Sequence, residues 1–156
     1  MSIFLLSNIY NAFIVTAFYL IIYLLIRFRS YILGEFLIAL GFALFITINQ
    51  KYIYTDSNIF IGSVNLYPLI LWSVGLVLLR EFYEYIGKKF FLTVVFYILA
   101  ILFVEYIGYH LLGIRIDGNY PGIFGLDVIH GPPIIHYFYI LAGPAYILVT
   151  KLFRIK

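Results

Sequence analysis

FFLTVVFYILAILFVEYIGYHLL, residues Phe90 to Leu112, decides the fold. It holds one carboxylate, Glu105, and no Lys or Arg. A helix needs about 20 apolar residues to cross the ~30 Å hydrocarbon core of a bilayer. This run supplies them, and four other stretches resemble it. They cover about 3–26, 31–48, 59–79 and 132–150, with a polar loop at 113–131.

Composition agrees. The 156 residues are 65% hydrophobic and 11% charged, with a mean hydropathy of +1.07. Soluble domains carry roughly 25% charged residues, and a chain this small cannot hide so much apolar surface inside itself. The expectation is an all-α, polytopic integral membrane protein: five transmembrane helices forming one membrane-embedded domain over 1–156. The third span is the least regular. Asn65 and Pro68 interrupt it, so residues 53–64 either begin that span or form a separate interfacial piece.

Charge sets the orientation. With five spans, Arg27, Arg29, Arg80, Lys88, Lys89, Lys151, Arg154 and Lys156 fall on one side, and Lys51 and Arg115 on the other. Cytoplasmic loops collect Lys and Arg, so the N-terminus is expected outside and the C-terminus in the cytoplasm. The segment from Arg80 to Lys89 reads as a solvated cytoplasmic loop. No basic residue precedes the first apolar run and no A-x-A site follows it, so that run is expected to act as an anchor rather than a cleaved leader.

Several function classes fall away. Without cysteine there is no thiol catalysis and no Cys-based metal site. No clustered basic face marks a nucleic-acid partner. Two of the three histidines, His130 and His136, sit in GLDVIHGPPIIHYFY, residues 125–139. There is no H-E-x-x-H and no paired E-x-x-H, so neither a metal nor another cofactor is expected.

The chemistry-bearing residues gather on the outer side. Glu105 lies roughly 10 Å below the outer end of the fourth helix, at 1.5 Å per residue. Acids inside membranes usually face a bundle interior or a wet cavity, which fits a general acid or base; the alternative is a packing acid bonded to a neighbouring Tyr or Ser. Tyr109 shares its face. His110 stands about 140° away on a regular helix, so the two meet only if the helix ends or distorts.

Asp127 and His130 are three apart, and a helical turn would set them side by side; such a carboxylate fixes a histidine's tautomer. His136 would sit one turn inside the fifth helix, after Pro132 and Pro133 open it. The bland alternative is a capped loop. Arg115 suits a bidentate contact to a head group, or a clip with Asp117. Tyr120 belongs to the second turn of the same loop. Glu105, Asp127, His130 and His136 are therefore the catalytic candidates, and Tyr109, His110, Arg115, Asp117 and Tyr120 the substrate-binding ones.

Glu35, with Ala39 and Ala43 on its face, is expected to turn inward against another helix in the inner half. Gly143-Pro144 is expected to break the fifth helix.

Three functions remain open. One is acid–base chemistry on, or binding of, a lipid or isoprenoid at the outer leaflet. The second is a non-enzymatic subunit, in a homo-oligomer or a larger membrane complex. The third is a proton-coupled or small-molecule transporter.

Overall fold

A computed structural model describes residues 16–27, 31–50, 53, 59–111 and 115–153. The elements are α1 (Thr16–Arg27), α2 (Ile32–Gln50), β1 (Phe60–Ile61), β2 (Val64–Asn65), α3 (Leu66–Tyr85), α4 (Phe90–Tyr106) and α5 (Pro133–Leu152). Among the described residues the long elements are all helices, and one short hairpin sets Phe60 opposite Asn65 and Ile61 opposite Val64. Four helices are long and apolar enough to cross a membrane: Ile32–Asn49, Leu66–Tyr85, Phe90–Leu111 and Pro133–Leu152. Residues 3–15 of the first expected span lie outside the described residues, as does Lys51.

The third span is shifted from its expected bounds of 59–79. Asn65, read as an interruption, is the helix N-cap. Its backbone is extended and its side-chain oxygen accepts the Tyr67 amide at 3.1 Å. Pro68 then falls in the first turn, where no amide partner is needed. Residues 60–65 form the hairpin instead.

At the other end the helix runs on to Tyr85, through what looked like a charged loop. It stops with a Schellman pair of bonds, Lys88 N–H to Tyr83 O at 2.8 Å and Gly87 N–H to Glu84 O at 3.1 Å.

Arg80 is therefore a helical residue facing inward. Its Nε lies 3.2 Å from Glu35 Oε1 on α2, and its Nη2 lies 2.6 Å from Glu84 Oε1 one turn on. The arrangement follows from α2. Glu35, Ala39 and Ala43 share one buried face, and the alanines let α3 approach closely. The Tyr146 hydroxyl of α5 donates to the Glu35 carbonyl at 3.0 Å, joining a third helix to the same point.

α5 stays one helix across Gly143-Pro144 rather than breaking. Tyr97 of α4 packs against this point: its hydroxyl donates to the Tyr139 carbonyl at 2.7 Å and also meets the Gly143 amide. Gly143 is needed for that approach, because a Cβ there would sit 2.7 Å from two Tyr97 ring carbons. Gly143→Ala is expected to destabilise the protein by about 1–3 kcal/mol through overpacking, measured by denaturant unfolding in detergent. Gly75→Ala, whose new methyl meets nothing within 4 Å, should not destabilise it.

Candidate functional site

α4 widens into a single π-helical turn over Ile107–Leu111. An i→i+5 turn changes the angle at which side chains leave the helix, and such turns recur at functional sites. This is a distortion of the kind on which a meeting of His110 with Glu105 depended, but it does not bring the two together. His110 turns to the loop after α4, where its Nε2 lies 2.9 Å from the Asp127 carbonyl and 3.5 Å from Asp127 Oδ2.

Asp127 also takes His130, with Nε2 at 3.0 Å from Oδ1. One carboxylate thus serves two histidines. The pairing does not come from a helical turn. A 3-10 turn at Ile123–Gly125 is followed by bends, and two non-glycine residues there hold left-handed backbone: Phe124 at φ 52° and Ile129 at φ 53°. For a β-branched residue that is an outlier, costing on the order of 1–3 kcal/mol. Burial of the Ile129 side chain in an apolar cluster holds it.

So does His136, whose Nε2 lies 2.9 Å from the Ile129 carbonyl. His136 is thereby tied to the loop backbone, not to Asp127. Gly122 closes the loop: a Cβ there would stand 1.7 Å from the Leu126 carbonyl oxygen.

The His130 ring is stacked on Tyr109, with centroids 4.0 Å apart and planes 16° apart. The Arg115 guanidinium lies 4.6 Å from the centre of the same Tyr109 ring. Arg115, Tyr109, His130, Asp127 and His110 therefore make one cluster. Asp117 and Tyr120 stand apart from it. The Asp117 amide donates to the Ile53 carbonyl at 2.6 Å, and the Tyr120 ring lies against Gly118.

Glu105 is held separately. The Tyr139 hydroxyl donates to its Oε1 at 2.6 Å, which is the bonded arrangement weighed as the alternative to a free acid. Tyr139 and Trp72 make an edge-to-face contact at 4.7 Å, and Tyr67 lies within electrostatic range of Glu105.

An apolar slot of about 130 Å³ is bounded by Ile101 and Leu102 of α4, Tyr139 and Ile140 of α5, and Leu126 and Ile129 of the loop. Leu126 and Ile129 flank the cluster, and Tyr139 is the wall that carries the bond to Glu105.

Asp127 is acceptor-only when ionised, so its bond orders His130 with the proton on Nε2 and a lone pair on Nδ1. That Nδ1 is buried and has no hydrogen-bond partner among the described residues.

Sequence reasoning did not single out Tyr139, which holds Glu105, nor Tyr97, which fixes the Tyr139 backbone. Nothing marks these two among 16 tyrosines until the helices are packed. No protein-family model, no curated protein and no solved structure matches the chain.

Proposed function

We propose that the protein carries out acid–base chemistry on a lipid or isoprenoid at the outer leaflet of the membrane. One observation carries this reading: a carboxylate-held histidine, His130, keeps a buried ring nitrogen with no hydrogen-bond partner among the described residues, and its chain neighbour Ile129 lines an apolar slot. In this reading the chain has five spans, with the N-terminus outside and the C-terminus in the cytoplasm. Arg80 is spent on Glu35 and Glu84, which leaves seven basic residues against two, and the bias keeps its sign.

His130 Nδ1 accepts a proton from the substrate. Asp127 holds the opposite N–H and stabilises the imidazolium that forms. Glu105 is the second proton group, acting through the Tyr139 hydroxyl on the slot wall. Arg115, laid across Tyr109, holds an anionic or carbonyl head group. The hydrocarbon end enters the slot. His136 serves as the tie that keeps the loop in place.

One observation favours the second reading, a subunit of a homo-oligomer or larger complex. α4 is the least buried of the four long helices, with Phe91, Leu99 and Phe103 exposed. A bilayer covers such a face equally well, and it does not explain the Asp127 cluster.

Binding has a built-in reporter. Trp72 is the only tryptophan, and it touches Tyr139 and Phe138. A prenyl phosphate titrated into the detergent-solubilised protein is expected to shift Trp72 emission saturably. Arg115→Ala should raise the half-saturation about tenfold, the loss of one charged contact. An emission that never responds, or a response indifferent to Arg115→Ala, counts against the assignment.

A further inference from the structure

On the other side of α5 the bundle carries a larger concavity, a groove of about 580 Å³ between α2 and α5. Its floor is made of small residues, among them Gly41 and Ala145. Phe42, Phe45, Tyr137 and Leu141 help form its walls. Among the described residues, no charged side chain lines it. Phe45, Tyr137 and Leu141 are all exposed, so the groove opens sideways, toward the surroundings of the helices.

We propose that this groove is a seat for one acyl chain of a membrane phospholipid. The proposal does not rest on the acid–base reading.

Length is the first argument. The groove runs from Ile38 to Ile46 on α2 and from Ile134 to Ala145 on α5, which is about 12–16 Å at 1.5 Å per residue. That is roughly half of the ~30 Å core, one leaflet deep.

Width is the second. Spread over that length, the volume gives a cross-section of about 35–50 Å², whereas a helix 10–12 Å across needs roughly 80–110 Å². A hydrocarbon chain fits and a helix does not.

Area is the third. Eleven residues line the groove, fewer than the roughly 20–30 per side of a stable protein interface. A second copy is therefore a poor occupant. The lining offers no cation for a phosphate, so the groove selects a chain and not a head group.

A diazirine-bearing phenylalanine in place of Phe45 reports the occupant directly. The full chain is reconstituted in phosphatidylcholine vesicles, irradiated and analysed by mass. The expected product is a phosphatidylcholine adduct, at a yield well above that from the same analogue in place of Leu99 on the open face of α4. Gly41→Leu fills the groove without a clash, since a Cβ there meets nothing within 4 Å. It should lower the adduct about tenfold, the loss of contact with about two methylenes, while Gly75→Leu leaves the yield unchanged. Capture of a second chain, capture of residues 1–15, or equal adduct at positions 45 and 99 would each overturn the proposal.

Discussion

Arg80→Met is expected to lower the unfolding free energy by about 3–5 kcal/mol, because it leaves Glu35 as a buried charge without its partner. Both side chains are almost fully enclosed, at 7% and 2% exposure. The contact is single-point: Glu35 Oε2 and Arg80 Nη1 have no hydrogen-bond partners among the described residues. Such a pair contributes little net stability, since desolvation offsets most of the attraction, yet losing half of it is costly.

The double variant Glu35→Met/Arg80→Met is therefore expected to recover most of the loss. Methionine keeps the apolar stem of the arginine, so lost packing does not account for the difference. Glu84→Gln, at a half-exposed position, should cost at most about 1 kcal/mol. Denaturant unfolding in detergent measures all three. An Arg80→Met variant within 1 kcal/mol of the parent would show that this junction of α2, α3 and α5 does not depend on the ion pair.

His130→Ala is expected to reduce turnover of the outer-leaflet substrate by about 10²–10⁴-fold, the usual contribution of a positioned general base. Asp127→Asn should cost less, about 10–100-fold, because it removes the partner that orients the ring and leaves the ring itself. His136→Ala should act differently again. It unties the Ile129 carbonyl, so its first effect is on the order of the loop. That ranking distinguishes a His130 base from a loop that is merely polar. Equal losses from all three substitutions would mean that the loop's structure is what matters.

The helices were legible because their cause is local. Long apolar runs need lipid, and the runs at 90–112 and 132–150 gave bounds close to those observed. The third helix was misplaced because Asn65 and Pro68 break a hydropathy run while making a good helix start, and hydropathy does not register capping. Arg80 was misread for a related reason. Its charge argued for water, but its spacing of four from Glu84 was a helical signal, and Glu35 had already been read as turned inward.

The candidate site was legible only in part. The three-residue spacing of Asp127 and His130 survived, although strained loop backbone produces the contact instead of a helical turn. The approach of His110 depends on a π turn, which no side-chain pattern announces. His136 bonds a backbone carbonyl that only the folded loop presents. The partner of Glu105 comes from a different helix, 34 residues on, and chain spacing does not encode that meeting.

The most direct measurement compares the lipids of membranes from cells lacking the protein with those of cells carrying the parent chain, His130→Ala or Glu105→Gln. The three samples that carry the protein are matched for its amount and membrane insertion, and all four lipid extracts are resolved by mass. The account predicts at least one lipid or isoprenoid species that the parent chain converts and that both variants leave as in the cells without it. Full conversion by His130→Ala and Glu105→Gln alike would contradict it.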